Sequence, residues 1–473
     1  MMDRQHIVIV GGGFAGTALA VHLLRLGHAK LDITLVEASS RVGRGIAYGT
    51  ELDDHVLNTR ACQMSLLPEA PHHFVDWLER QGVLSAAFEF VPRRLFGQYV
   101  EETLRDVLAE AKPAVGAFSL RLSERVTGVT PNASGFDVEL GSGEILDADS
   151  VVLALGHARP CDPLQGVLEP SPRYIRDPWR PDVLAEVTPA DTVLVIGTGL
   201  TMIDTVLTLR ARGHTGRVEA VSRNGLLPRP HADAPRTLPI DLRHRLLTRV
   251  LVQTRLRRLT RELRALIAEA EARGYGWHCI VDAMRPHLPQ VWRALDDHER
   301  RRFLSRLRPF WEVHRHRVPP RTHALIGKLV DSGRLSIRAG RIVDATEHES
   351  AIEVVRAWRG SDETSRDFFD WVVNCTGPRS RGPSCSPLEA RLLEHGLLRI
   401  DPLGLGYLTT PDGAAIGGDG VVPGLYVIGP ACRPLDWETT AVPELSERAE
   451  ALAAHLIDQW TATRPLRTRR MRA

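Results

Sequence analysis

Gly11, Gly13 and Gly16, in "HIVIVGGGFAGTALA" (6–20), and Glu37, 21 residues beyond the last of them, have types and a spacing that suit a dinucleotide. Gly11 permits a tight turn, Gly13 lets the backbone approach a pyrophosphate, and Gly16 lets helix and strand pack closely. Phe14 and Ala15 complete the turn, and Glu37 can accept hydrogen bonds from a ribose hydroxyl. A glycine-rich turn by itself is weak evidence. Here a β-branched strand, the turn, a helix ("TALAVHLLRLG"), a second strand ("DITLVEA") and the acid arrive in order. The alternative is a structural βαβ unit that binds nothing.

The chain then repeats the arrangement. "DTVLVIGTGLTMIDT" (191–205) supplies Gly197 and Gly199 after another buried-strand run, with Leu200 and Thr201 at the helix start. Met202 stands where a third glycine would be, so helix and strand should sit slightly further apart. The backbone donors for phosphate are retained. The following strand, "RVEAVSR", places Ser222 at the position matching Glu37, with Arg223 next. An acid favours a free ribose 2′-hydroxyl, whereas a Ser-Arg pair can receive a 2′-phosphate. The alternative is that Arg223 merely ends a strand in solvent. Two cradles imply two dinucleotides, one passing hydride to the other.

Positioning two such cradles takes more than one ordinary domain, and the chain has 473 residues. The expected fold class is α/β: two Rossmann-like dinucleotide-binding domains, the first discontinuous and the second inserted in it, with a helical insertion. "VVLALGHARP" (151–160), with Gly156 and His157, and "WVVNCTGP" (371–378) read as exit and return strands. The expected division is 1–185 and 356–473 for the first domain and 186–355 for the second. The second carries an arginine-rich helical insertion near 236–330, whose apolar residues recur at three- and four-residue spacing. Its basic face suits solvent better than a nucleic-acid stripe, because the net charge is only +2. "PFWEVHRHRVPP" (309–320) closes the insertion. There His314, Arg315, His316 or Arg317 could contact an anion or substrate, or the segment could be a hydrogen-bonded interdomain corner. Neither there nor elsewhere does spacing suggest a metal site.

Hydrophobic residues at 43% and charged residues at 25% describe an ordinary globular protein. Lysine occurs only at 30, 112 and 328, which leaves few candidates for Schiff-base chemistry. Six scattered cysteines without a CxxC pair disfavour a disulfide framework, a zinc site and a dithiol reductase. No signal-peptide pattern and no apolar run of about 20 residues is present, so a cytoplasmic protein without a membrane or nucleic-acid partner is expected.

"RVGRGIAYGT" (41–50) and "HVLNTRACQMSLLP" (55–68), following the first turn, carry the stretch GxAYxT…N…M. With both turns, the "HRHR" corner and "WETTAVPE", they make the chain similar to the two-dinucleotide FAD/NAD(P)-binding flavoproteins. Within these it resembles class B flavin monooxygenases, including N-hydroxylating enzymes. The resemblance implies FAD at the first turn and NADPH at the second. It implies flavin contacts from Arg44, Tyr48, Asn58 and Met64, although Tyr48 taken alone reads better as a core residue. It also implies a closing segment in which Gly429 and a helix N-terminus near Trp437, Glu438, Thr439, Thr440 and Ala441 meet the flavin. Trp437 could instead be core. Where many relatives have Gly-Asp, this chain has Gly429-Pro430, so an aspartate contact is missing.

The implied chemistry is reduction of FAD by NADPH, addition of O2 at the flavin C4a, and oxygen transfer to a small nucleophilic substrate, an amine or amino acid. No side-chain nucleophile is required, and Asn58, His314 and His316 are the candidate catalytic side chains. The FxGxxxHxxxW/D stretch of Baeyer–Villiger enzymes is absent from the sequence, which disfavours carbonyl oxygenation. Two other readings stand: an NADPH:acceptor reductase or oxidase, and a noncatalytic dinucleotide sensor or partner-binding protein.

Overall fold

The structure is a computed structural model and describes residues 4–27, 30–84, 86–111, 116–234, 236–377 and 386–470. The chain divides into two compact units, Met1–Ala158 with Ser380–Ala473, and Arg159–Arg379. One unit is therefore discontinuous and the other is inserted in it, with boundaries at 158/159 and 379/380 where the sequence suggests 185/186 and 355/356.

In the first unit, Gln5–Val10 is the strand that the β-branched run predicts. Ile7 and Ile9 face one apolar cluster and Val8 and Val10 the other, with Ile7, Val8 and Ile9 wholly buried. A strand that alternates between two cores must be covered on both faces. One face is covered by the helices Phe14–Leu26, Arg93–Ala111 and Val442–Arg470. The other packs against an antiparallel three-stranded sheet, Val126–Pro131, Phe136–Leu140 and Ile145–Ala148, and the helix Pro387–Glu394. The main sheet runs Ala414–Gly417, Gly420–Val427, Ser150–Leu153, Gln5–Val10, Leu31–Val36, Phe118–Arg121. All its pairings are parallel except the first, so the carboxyl ends of its central strands converge beside the glycine turn.

The second unit has a seven-stranded sheet in the order Thr364–Phe369, Ile352–Trp358, Leu335–Glu347, Val218–Ser222, Val193–Ile196, Trp371–Asn374, Tyr174–Ile175. Its last five strands pair in parallel, and the first three form an antiparallel meander. Tyr174–Ile175, Thr364–Phe369 and Trp371–Asn374 lie outside the 186–355 span read from the sequence but complete this sheet. The helical insertion lies between Val218–Ser222 and Leu335–Glu347. Its helices run from Ile240–Arg245 to Pro320–Asp331, and Leu242, Leu246, Leu266, Ala270, Cys279, Ile280 and Met284 form a separate apolar cluster within it. No helix among the described residues is long and apolar enough to cross a membrane.

Candidate dinucleotide sites

The first glycine turn sits at the end of Gln5–Val10. Gly11 has φ +105°, and a Cβ there would lie 2.4 Å from the Ala154 carbonyl oxygen. A Cβ on Gly16 would lie 1.9 Å from the Gly11 oxygen, so the helix Phe14–Leu26 can approach the strand only with glycine there. Gly13 differs. Its Cβ would have only the Gly45 Cα, 3.7 Å away, as a neighbour. The space above Gly13 is therefore open, and the free amides of the helix start face it. Such a cradle fits a pyrophosphate.

Glu37 follows Leu31–Val36, and both its carboxylate oxygens are already held. The Gly12 amide donates to Oε2 and the Ser39 amide to Oε1, each at 2.7 Å. Each oxygen keeps a lone pair for a ribose hydroxyl. Gly43 and Gly45 have positive φ and lay the 43–45 segment over the turn, with the Gly43 amide bonded to the Gly12 carbonyl at 2.7 Å. Arg44 lies between them and is buried. Its Nε and Nη2 donate to Glu101 at 3.2 and 3.1 Å, while Nη1 has no hydrogen-bond acceptor among the described residues and lies 3.7 Å from the exposed Glu51 carboxylate. Gly12, Gly43, Gly45 and Ser39 escaped the sequence reading. The repeated glycines of "RVGRG" were the available signal for two of them.

Of the other residues expected near the flavin, Tyr48 packs edge-on against Phe96 at 4.7 Å and Phe14 at 6.3 Å. Burial pushes its phenol well above the ordinary range, so it stays neutral. Met64 is a core residue, and Asn58 is half-buried. Gly429, with φ +93°, lies beside Ala15, and its carbonyl accepts from the Thr439 hydroxyl at 3.0 Å. That bond ties the Trp437–Ala441 turn to the first glycine turn. Trp437, Glu438 and Thr439 are buried, Thr440 and Ala441 half-buried, and the helix Val442–Arg470 begins directly after them. Arg433 lies over the Trp437 ring at 4.3 Å.

The second turn repeats the first with different partners. Gly197 has φ +115°, and a Cβ would meet the Cys375 carbonyl oxygen at 2.3 Å, whereas a Cβ on Gly199 would meet nothing within 4 Å. Leu200 and Thr201 open the helix Leu200–Ala211, and Met202 is wholly buried in the adjoining core. Thr198 holds Ser222 as Gly12 holds Glu37: the two hydroxyls are 2.8 Å apart. Ser222 also accepts from the Gly225 amide at 3.0 Å. Arg223 is exposed and forms no ion pair with any described residue. The Cys375 thiol is raised to about 12 by burial, so no thiolate stands at this turn.

The "HRHR" corner lies within the second unit. His314 donates from Nδ1 to the Phe310 carbonyl, 2.7 Å away, and its ring meets Trp277 edge-on at 4.7 Å. Arg317 is buried and forks onto Asp282. The adjoining Val318 pairs with the 229–231 backbone, which makes Arg317 part of a hydrogen-bonded corner. His316 is half-buried. All the residues predicted for FAD fall in the first unit; those predicted for NADPH, with His314 and His316, fall in the second.

Residues 8–158 match the model of a family described as FAD-NAD(P)-binding, which covers the first cradle. None of the curated proteins compared matches the chain. Among solved structures the fold is similar to ornithine N-hydroxylase from Kutzneria sp. 744, crystallised with reduced FAD, NADP+ and L-ornithine. Identity is 16%, coverage 96% of this chain and 99% of that one, and TM-score 0.66. It is also similar to L-lysine 6-monooxygenase from Pseudomonas syringae, at 18% identity, 96% and 99% coverage, and TM-score 0.65. The cadaverine monooxygenase of desferrioxamine biosynthesis from Erwinia amylovora matches at 14% identity, 96% and 94% coverage, and TM-score 0.60. The chain thus shares the fold of these proteins over nearly its whole length.

Proposed function

We propose that the protein is an FAD-dependent, NADPH-consuming monooxygenase that oxygenates the nitrogen of a small amine or amino acid. The observation that carries this reading is the fold match to three amine monooxygenases over 96% of the chain. When bound, FAD takes a hydride from the nicotinamide and activates O2 for transfer to a nucleophilic atom.

The chain's own residues bind and orient. Amides at the start of Phe14–Leu26 and the Nη1 of Arg44 hold the FAD pyrophosphate, and Glu37 holds its ribose. The positive end of Val442–Arg470, delivered by Trp437–Ala441, favours electron-rich flavin. Gly199, Leu200 and Thr201 hold the NADPH pyrophosphate, and Arg223 with Ser222 receives the 2′-phosphate. Asn58, His314 and His316 stand as the candidate catalytic side chains. Neutral Tyr48 and Cys375 supply no competing nucleophile. O2 is the co-substrate.

The test is a panel of ornithine, lysine, cadaverine and related amines, with NADPH consumption, hydroxylamine product and hydrogen peroxide measured together. A substrate that stimulates NADPH consumption with matching hydroxylamine supports the proposal. NADPH consumption that yields only peroxide or a reduced acceptor across the panel replaces it with an oxidase or reductase. A purified protein that takes up neither FAD nor NADPH reduces the role to partner binding.

A further inference from the structure

The two units treat the carboxyl end of their second parallel strand in opposite ways. In the first unit, the main chain of Glu37 bonds to the Arg121 carbonyl on the neighbouring strand at 2.8 Å. Arg121 is itself neutralised by Glu144 at 3.0 Å. That end presents an acid and a spent cation, the pattern for a free ribose hydroxyl.

In the second unit the corresponding strand pair is Val218–Ser222 with Leu335–Glu347, in register Ser222 with Ala339. The Ala339 carbonyl accepts from the main-chain amide of Arg359 at 3.0 Å. Arg359 belongs to the turn after Ile352–Trp358, more than 130 residues along the chain from Ser222. Its Nη1 donates to the Asn224 side-chain oxygen at 2.6 Å, and Asn224 directly follows Arg223. The 222–225 loop is pressed onto the same strand, since a Cβ on Gly225 would lie 3.0 Å from the Ala339 amide. Trp358, next to Arg359, is stacked under Arg338 at 3.5 Å, which stiffens this turn. Neither Arg223 nor Arg359 meets a carboxylate among the described residues; the Arg359 partner is a neutral amide.

From this geometry we infer that Arg359 is a second guanidinium of the 2′-phosphate site, positioned by Asn224 and Ala339, and a determinant of NADPH over NADH. The inference rests on the NADPH reading above. A phosphate monoester carries nearly two negative charges at neutral pH, so one arginine leaves it half neutralised. Two guanidiniums from different strands, each offering a planar fork of donors, complete the neutralisation. The Asn224 oxygen accepts one Arg359 N–H and fixes the fork, leaving the others for the ligand.

The experiment uses the FAD-reconstituted protein and calorimetric binding of adenosine 2′,5′-bisphosphate and 5′-AMP, which differ only in the 2′-phosphate. R359A should weaken the bisphosphate roughly tenfold or more, as loss of a charge-assisted hydrogen bond does, and leave 5′-AMP unchanged. R359K should recover part of the loss, N224A should show a smaller one, and the melting temperatures of R359A and R359K, at an exposed position, should match the parent. A parent that binds both nucleotides equally overturns the NADPH reading and this inference with it. A bisphosphate preference lost in R223A but intact in R359A overturns the inference alone.

Discussion

At the residue scale, the glycines divide by what surrounds them. Gly16 has no room for a methyl group, because its Cβ would stand 1.9 Å from the Gly11 oxygen. Gly16→Ala should therefore cost about 1–3 kcal/mol or more of stability, read from urea unfolding, with loss of bound flavin as a consequence. Gly13→Ala meets no such obstacle. Its apoprotein should melt with the parent, while FAD affinity falls at least about tenfold because the methyl group occupies the pyrophosphate approach. Equal loss of stability in both variants would show that Gly13 serves packing. These glycines were readable in sequence because turn and close approach admit little else. The partners of Ser222 were not, since Thr198 is 24 residues away and Arg359 far beyond any local pattern. At Met202, where a third glycine would stand, the side chain is wholly buried.

At the element scale, two pairings carry measurable consequences. His22 on Phe14–Leu26 is buried, and its Nε2 has no hydrogen-bond partner among the described residues. Burial holds its pKa below the ordinary value of 6.5, partly countered by Glu450 on Val442–Arg470 and by Glu69, with Arg25 and the Leu66 backbone also facing it. The folded state thus keeps His22 neutral while the unfolded chain protonates it. Its stability contribution is complete above pH 6.5 and declines as pH falls from there towards the lowered folded value. The slope is at most about 1.4 kcal/mol per pH unit. H22Q should flatten the pH dependence of the melting temperature between pH 7 and 5; an unchanged profile would assign the loss to other groups.

Arg356 on Ile352–Trp358 is buried between Glu219 on Val218–Ser222 and Asp367 on Thr364–Phe369. R356M leaves Glu219 buried beside only the exposed Arg217, and should cost about 3–5 kcal/mol. Adding E219Q should recover part of that in urea unfolding. The strands themselves were legible as β-branched runs. Their partners were not: Tyr174–Ile175 has two residues and no pattern, and only pairing with Trp371–Asn374 makes it a strand of the second sheet.

At the scale of the whole molecule, a net charge of +2 conceals a division. Residues 1–158 hold 13 Lys/Arg against 20 Asp/Glu, and residues 236–330 hold 21 against nine, a net of +12. Arg243, Arg249, Arg257, Arg258 and Arg264 are exposed there. The protein should therefore bind a cation exchanger at pH 7.5 more strongly than a charge of +2 predicts, and release steeply with salt. Passage without retention would mean the cations are screened by neighbouring acids. The bulk composition hid this division because the opposite excesses cancel.

The strands on either side of that cationic segment, Val218–Ser222 and Leu335–Glu347, are direct neighbours in register. A detour of more than a hundred residues begins and ends within one strand spacing, and its return helix Pro320–Asp331 packs on the sheet through Ile326. Evolution can lengthen, trim or exchange such a detour without shifting a single hydrogen bond between the two strands. The edge that carries Ser222 can stay fixed while the outer helices diverge.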